Sequence, residues 1–188
     1  TDDPADVFER LAPLAKSKLV IDNEFAADLE PELWDGDEIT ADICAAGKRM
    51  QELDLLPAPF PVHEFLDERD LRHVMRLYQV GGLSYGNLSA RKDETRFWMS
   101  ASGVDKSQLE IAGRDILMVT GYDEPNAPMT ISVPPGIEPR RVSVDAIEHW
   151  MIYQAHPDVG AILHVHAWME GIAATDINYP CGTQELAQ

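Results

Sequence analysis

A helix that leads directly into a short apolar strand is the feature that most constrains how this chain folds. Residues 143–155 have a helical pattern, and Pro157 ends it because proline lacks the amide donor that a helix needs. The next segment, Val159–Ala167, is apolar except for His164 and His166. The run predicts a buried strand, and a helix joined to a strand in this order predicts an α/β fold.

The two histidines of this strand are candidate metal ligands. Residues two apart on a strand project from the same face, so His164 and His166 are predicted to stand side by side. Their imidazoles could then reach one ion at a Zn–N distance of about 2.0–2.1 Å. The pattern alone leaves two interpretations open, a metal-binding pair and a structural or surface pair.

Carboxylates on the preceding helix strengthen the metal interpretation. Ser143 is the predicted N-cap, and Asp145 lies in the predicted first turn, where the helix dipole favours an anion. Glu148 follows on roughly the same helical face. Two further histidines on this helix, His149 and His156, do not have the spacing to lie beside Asp145 together, so they are predicted to be surface or supporting residues.

The rest of the chain divides into short elements. Apolar residues at helical spacing predict three further helices, in residues 1–21, 39–56 and 66–80. Short apolar runs predict strands at Arg96–Ser100 and Ile116–Thr120. Two segments are predicted to be irregular. The acidic stretch in residues 22–38 could be a loose arm or could dock on a neighbouring surface through Phe25, Leu29, Leu33 and Trp34, and a Pro/Gly-rich loop spans residues 125–139.

Charge and composition limit the partners. The formal net charge of −18 would repel nucleic acid and anionic membranes, and no apolar run approaches the roughly 20 residues of a membrane span. Cys44 and Cys181 give no disulfide framework, which favours a reducing compartment and a cytoplasmic location. An anionic substrate would need local positive charge from a metal or from arginines such as Arg140 and Arg141.

Four motifs in order resemble one family. They are G-N-L-S-A-R at residues 86–91, S-A-S-G at 100–103, S-V-D with the downstream H-V-H at 143–166, and Y-P-C-G-T at 179–183. Together they resemble the class II aldolase/adducin family of small-sugar lyases and epimerases. The resemblance implies a three-layer α/β/α fold with a central, mainly antiparallel sheet over residues 39–188, and leaves residues 1–38 as an acidic N-terminal extension.

The resemblance also assigns roles to residues of this chain. His164 and His166 match the strand ligands of a divalent metal, which is zinc by expectation, with manganese or cobalt as alternatives. Asp145 matches the family's acidic residue and is the expected proton shuttle, with Glu148 as the reserve acid. The positions that match the family's substrate-phosphate site are Asn87, Ser102, Gly103 and Ser143.

Two departures from the family pattern bear on these roles. Val144 stands where the family usually has a second serine, which removes a phosphate donor, and Arg141 could grip a carboxylate or phosphate instead. The family's third histidine ligand lies downstream, in a segment that this chain lacks, so the domain is expected to be incomplete at its C-terminal end.

The implied function is a metal-dependent, aldolase-type lyase or epimerase that acts on a small hydroxy-carbonyl compound through an enediolate. Two alternatives stay open: decarboxylation or dehydration at the same site, and a non-catalytic interaction module like the adducin head. The expected partners are a small-molecule substrate and further copies of the chain, with a tetramer suspected from the family.

Overall fold

The computed structural model describes residues 4–56, 66–77, 85–122, 128–166, 170–173, 177 and 179–188. The helices in these ranges are α1 Pro4–Lys16, α2 Glu38–Glu52, α3 Glu68–Leu77, α4 Ala146–Ala155 and α5 Gln184–Ala187. The strands are β1 Asn23–Ala26, β2 Asn87–Arg91, β3 Phe97–Ser100, β4 Ile116–Tyr122, β5 Met129–Ser132 and β6 Ala161–His164. Short 3₁₀ helices span Pro31–Leu33 and Lys106–Gln108. No helix in the described ranges is long and apolar enough to cross a membrane.

The six strands form one sheet in the order β1-β5-β4-β3-β2-β6. Only β1 and β5 run parallel, and the other four neighbouring pairs are antiparallel. The predicted mainly antiparallel central sheet is confirmed.

Helices cover both faces of the sheet. Phe97 of β3 packs against Trp150 and Tyr153 of α4, with ring centroids 6.4 and 4.8 Å apart. The next residue, Trp98, faces the opposite way, and its indole donates a hydrogen bond to Asp37 at the start of α2. Successive strand residues point to opposite faces, so α4 and α2 lie on either side of the sheet. This arrangement confirms the three-layer α/β/α prediction.

The centre of the sheet is the centre of the core. Every residue of β3 is buried, as are the first four residues of β4. Strands that are buried on both faces have continuous apolar runs instead of alternating ones, which fits their sequences, FWMS and ILMV.

One carboxylate fixes the start of α2 to the sheet. Asp37 accepts a hydrogen bond from the Thr40 amide and forms a capping box with it. The same side chain accepts hydrogen bonds from Lys92 at 2.8 Å and from Trp98 at 3.1 Å. These partners outweigh the effect of burial and lower the pKa of Asp37.

The acidic stretch in residues 22–38 is not the loose arm that its charge suggested. β1 pairs with β5 as an outer strand of the sheet, and Leu29 and Leu33 are only 2% and 6% exposed. Trp34 remains 41% exposed, while its indole donates to the Leu29 carbonyl. The pairing of β1 with β5 and the burial of Leu29 and Leu33 hold this segment against the sheet despite its many acidic residues.

Two other local predictions were wrong. The predicted loop of residues 125–139 contains β5, where Met129 and Ile131 are buried between neighbouring strands. Ser143 is not the N-cap of α4, because its carbonyl, and not its hydroxyl, accepts a bond from Ala146. Asp145 occupies the N-cap position and makes no capping bond with its side chain, which leaves its carboxylate available to other groups.

The strand that carries the histidines was predicted to be interior, and in the described part of the chain it is the last strand of the sheet. β6 pairs with β2 on one side. Its burial alternates, with Ala161 and Leu163 exposed and with Ile162 and His164 partly covered. The apolar run therefore reflects one covered face and not two.

Candidate active site

Three separate segments meet at the N-terminal end of α4. Asn87 is the first residue of β2 and lies directly opposite His164, the last residue of β6. Both side chains share the sheet face that α4 covers, since Ser89, two residues on from Asn87, contacts α4. Asp145 then begins α4 beside them, and Asn87 donates a hydrogen bond to its carboxylate at 2.5 Å.

A glycine allows the two strands to come this close. Gly86 has a φ of +78°, a conformation that residues with a side chain rarely adopt. A Cβ at this position would overlap the carbonyl oxygen of His164. The glycine of the G-N motif therefore sets the approach between Asn87 and the histidine strand.

The two histidine rings lie next to each other, with centroids 5.0 Å apart and planes tilted by 60°. Nδ1 of His164 is 3.8 Å from Oδ2 of Asp145, and the Tyr85 ring lies 5.4 Å from the ring of His166. Burial, and then the neighbouring His164, lower the pKa of His166. Both effects favour the neutral imidazole, which is the form that binds a metal.

The carboxylates of Asp145 and Glu148 are only partly satisfied by hydrogen bonds. Asp145 is 6% exposed, and Glu148 accepts a hydrogen bond from the Gly182 amide at 2.7 Å. Three buried oxygens in this cluster have no protein partner: Oδ1 of Asn87, Oδ1 of Asp145 and Oε2 of Glu148. Buried polar atoms are normally paired, so a cluster of unpaired oxygens is typical of a site that binds a ligand or ion.

Glu148 has the ionisation behaviour of a proton carrier. Burial raises its pKa to about 7, and the charge of Asp145 acts in the same direction. The Gly182 hydrogen bond opposes this shift without cancelling it. A carboxyl group with a pKa near neutrality can both donate and accept a proton under physiological conditions.

A buried network of polar side chains links β2 to α4 next to the site. Ser89 shares a hydrogen bond of 2.7 Å with Nδ1 of His149 and one of 2.8 Å with the Tyr153 hydroxyl. Arg91 stacks on the Tyr153 ring at 4.6 Å and donates to its carbonyl. His149 was predicted to be a surface or supporting residue, and at 2% exposed it is not on the surface. Its burial lowers its pKa to about 3.

The other predicted substrate residues differ in exposure. Ser143 is buried, whereas Ser102 is exposed and donates its amide to the Arg141 carbonyl at 2.8 Å. Gly103 has a φ of +68°, as a turn glycine does. The Arg141 side chain is exposed.

Sequence reasoning missed three residues of this region. The Tyr85 ring lies 5.4 Å from the His166 ring. Burial raises the pKa of the Cys181 thiol, and the negative charges of Asp145 and Glu148 act in the same direction. Lys106 is buried, and its charge acts on Asp145 and His166. Tyr85 and Lys106 lie within a few residues of a motif and Cys181 lies inside one, but neither spacing nor residue type indicated where their side chains lie.

The histidine pair fits a divalent ion as two of its ligands. Two imidazoles with an unpaired carboxylate oxygen close by are a suitable donor set for zinc, manganese or cobalt. Among the described residues, however, no group of three or more His, Cys, Asp or Glu side chains is arranged to hold one ion. The pair is therefore compatible with metal binding, and a closed three-ligand site is not formed by these residues.

Comparison with known proteins places the chain in a family. The family model for the Class II Aldolase and Adducin N-terminal domain matches residues 70–187. The curated relatives include methylthioribulose-1-phosphate dehydratases from three bacteria. The Klebsiella pneumoniae protein is 35% identical over 43% of this chain and 34% of its own length. The Leptospira biflexa protein is 29% identical over 54% of this chain and 45% of its own length. The Xanthomonas campestris protein is 29% identical over 62% of this chain and 51% of its own length.

The chain thus spans between about a third and a half of the length of these relatives. Among solved structures, an L-fuculose 1-phosphate aldolase superposes with a TM-score of 0.42 at 21% identity, over 70% of this chain and 45% of that chain. Because the family model covers more than half of the chain, this protein belongs to the class II aldolase and adducin family.

Proposed function

We propose that this protein is a metal-dependent lyase that acts on a small hydroxy-carbonyl compound, and that the reaction is a dehydration. The main support is that Asp145, which lies 3.8 Å from His164, and Glu148, three residues along the same helix, each have a buried oxygen with no protein partner. The curated relatives named as dehydratases favour loss of water over carbon–carbon cleavage. Aldolase-type cleavage, suggested by the motif order, is the second candidate because it needs the same groups.

In this proposal His164 and His166 hold the ion. When bound, a divalent ion of this kind polarises a carbonyl oxygen and stabilises negative charge that develops on it. The described residues supply these two imidazoles and no group of three or more ligands for one ion.

The carboxylates would carry the protons. Asp145 accepts a hydrogen bond from Asn87 on one oxygen, so its other oxygen, Oδ1, can take the proton from the carbon next to the carbonyl. Glu148, with a pKa near 7, can give a proton through Oε2 to the hydroxyl on the following carbon. The carbon–oxygen bond then breaks, and water leaves. Transfer of a proton from Asp145 to Glu148 restores both groups.

The test is to treat the purified protein with a chelator, reload it with zinc, manganese or cobalt, and supply methylthioribulose 1-phosphate. Mass spectrometry should detect loss of one water. Glu148→Gln and Asp145→Asn should each lower the rate by about 10²-fold to 10⁴-fold, the usual contribution of a positioned acid or base. His156→Gln is the matched control, because His156 is an exposed histidine at the end of the same helix.

The alternatives predict other outcomes. Release of an aldehyde without loss of water would assign the aldolase reaction and contradict dehydration. Absence of turnover with every metal, together with a fold that is intact by circular dichroism, would contradict both enzyme proposals and favour the interaction module.

A further inference from the structure

Polar side chains connect β2 to α4 along the whole length of the strand. Asn87, Ser89 and Arg91 are alternate residues of β2, so they project from the same face of the sheet. Each of them contacts α4: Asn87 at Asp145, Ser89 at His149 and Tyr153, and Arg91 at Tyr153. These contacts are called the polar ladder below. The proposed proton transfers give no role to Ser89 or Arg91.

The spacing of the polar ladder is nearly the same on the helix and on the strand. Its helix residues, Asp145, His149 and Tyr153, are four apart, which is a rise of about 6 Å along a helix. Its strand residues are two apart, which is a rise of about 6.6 Å along a strand. Residue numbers increase together on both elements, so β2 and α4 run in the same direction. The two sets of side chains therefore stay in register along β2.

Ser89 is the central member of the ladder and has two partners on α4. Its hydroxyl lies 2.7 Å from Nδ1 of His149 and 2.8 Å from the Tyr153 hydroxyl, and all three residues are buried. Apolar packing is non-directional and lets a helix slide. Hydrogen bonds weaken steeply with distance and angle, and a buried polar group that loses its partner is costly. A displacement of about 1 Å along either bond would take it beyond hydrogen-bond distance.

The first contact of the ladder belongs to the candidate site. Asn87 donates to Oδ2 of Asp145 at 2.5 Å, and the same oxygen lies 3.8 Å from Nδ1 of His164. One hydrogen bond alone would let α4 pivot about that point. The bonds of Ser89, one helical turn further along α4, remove this freedom. Glu148 is on the same helix, so a change in the register of α4 would move both carboxylates relative to the histidine pair.

We propose that Ser89 is a positioning residue of the candidate site and acts through His149 and Tyr153. Its two hydrogen bonds fix the register of α4 on β2, and this register holds the Asp145 carboxylate against Asn87. The effect of this positioning on catalysis rests on the proposed function, whereas its effect on the bond between Asn87 and Asp145 does not.

Nuclear magnetic resonance of the metal-free protein tests the positioning without any need for activity. The side-chain amide protons of Asn87, assigned by their loss in Asn87→Ser, report the hydrogen bond to Asp145. Ser89→Ala should shift the bonded proton upfield, because the bond lengthens when the register is released. Ser132→Ala is the matched control: it also removes a buried serine hydroxyl from a strand, one that donates to Asp28 at 2.6 Å, and it should leave the Asn87 protons in place. An Asn87 resonance that is the same in Ser89→Ala and in wild type would overturn the proposal.

A pair of variants at His149 separates positioning from loss of stability. His149→Asn places an amide close to the position of the ring Nδ1, so the bond to Ser89 can be kept, whereas His149→Leu removes it. The Asn87 resonance should stay close to its wild-type position in His149→Asn and move upfield in His149→Leu. The same resonance position in both variants would contradict the proposal.

Tyr153→Phe covers the case in which the Ser89 and His149 variants do not fold, because it removes a single hydroxyl group. It breaks one of the two bonds of Ser89, so the Asn87 proton should move in the same direction as in Ser89→Ala. An unmoved proton in a folded Tyr153→Phe variant would overturn the proposal.

Steady-state kinetics of the metal-loaded protein connect the register of α4 to the proposed reaction. Ser89→Ala should lower kcat by up to about 10²-fold, the cost of misplacing a catalytic group by about 1 Å, while KM stays close to that of wild type. Equal kcat values for Ser89→Ala and Ser132→Ala would overturn the role in catalysis. An Asn87 resonance that shifts in Ser89→Ala, in a protein without lyase activity, would remove the proposed function and leave the positioning in place. Lyase activity with an Asn87 resonance that does not shift would do the reverse.

Discussion

At the residue scale, neighbours on one helix have opposite ionisation behaviour. Burial lowers the pKa of His149 from 6.5 to about 3 and raises that of Glu148 from 4.5 to about 7. Each group is thereby kept uncharged in the folded protein at a pH where it is charged in the unfolded chain.

These shifts predict how stability depends on pH. Between pH 5 and 6 the unfolded chain carries a proton on His149 and none on Glu148. The folded protein carries a proton on Glu148, and its His149 is neutral. The number of bound protons is then equal in the two states, and these two groups together give almost no slope. His166, whose pKa burial also lowers, adds some loss of stability on acidification.

Variants should separate the two contributions. In Glu148→Gln only His149 remains, so the free energy of unfolding should fall on acidification with an added slope approaching about 1.4 kcal/mol per pH unit. In His149→Gln only Glu148 remains, and stability should instead rise on acidification by a similar amount. Urea unfolding of the metal-free proteins at several pH values measures both. Parallel pH profiles for the two variants would contradict the assigned shifts.

At the scale of the elements, sequence reasoning succeeded where one physical signal dominated. The apolar runs that became β3 and β4 are buried on both faces, and the helical spacing in residues 39–56 corresponds to α2. β1 escaped prediction because it is held by pairing with β5 across more than a hundred residues of sequence, and not by local pattern. β5 was assigned to a Pro/Gly-rich loop although it pairs with both β1 and β4. The burial of β6 was overestimated for the same reason, since an apolar run does not reveal how many neighbours a strand has.

The candidate site could be predicted only in part. The two-residue spacing of the histidines placed their rings together, and the S-V-D motif placed Asp145 beside them. The positions of Lys106 and Cys181 depend on how distant loops pack, which no local spacing records. The roles assigned to the site residues remain predictions, as does the domain boundary after residue 38.

Because β2 and β6 lie close together at Gly86, adding a methyl group there should strongly lower the stability of the fold. Gly86→Ala would require a left-handed conformation and would push against the His164 carbonyl. We expect the free energy of unfolding to fall by about 2–4 kcal/mol, from backbone strain and displaced neighbours. Gly160→Ala is the control, because a Cβ there meets open space, and it should change stability by less than about 0.5 kcal/mol. Similar stability of the two variants would show that Gly86 is not required for the strand approach.

At the scale of the whole molecule, the net charge of −18 opposes any association of copies of the chain. Exposed apolar groups favour it, among them Phe8 at 73% exposed and Trp34 at 41%. We keep the prediction of a homo-oligomer and add a salt dependence: because salt screens repulsion between like charges, the assembled fraction should rise with ionic strength. Light scattering at micromolar concentration measures this. A monomer at both low and high salt would contradict it.

The affinity for a metal ion also depends on the whole molecule. The histidine pair and the carboxylates would contact the ion, and the net charge acts on it from a distance. The acidic chain attracts divalent cations at long range, but the described residues offer two imidazoles and no closed set of three ligands. Zinc affinity depends on ligand number and on deprotonated ligands. We therefore expect zinc to bind more weakly than at sites with three protein nitrogens, and to be lost as the pH falls and the imidazoles become protonated.

Zinc titration by calorimetry between pH 6 and 8 tests this expectation. Removing one member of the pair by His164→Gln or His166→Gln should abolish stoichiometric binding, whereas His156→Gln should leave it unchanged. Tight binding of one zinc per chain that does not change across this pH range would contradict the prediction and would mean that a third ligand is already present. His149 would then be examined first, because it lies on α4 close enough to His164 for the charge of that ring to lower its own pKa. Its Nδ1 shares a hydrogen bond with Ser89, and a His149→Gln variant that loses zinc would identify His149 as the third ligand.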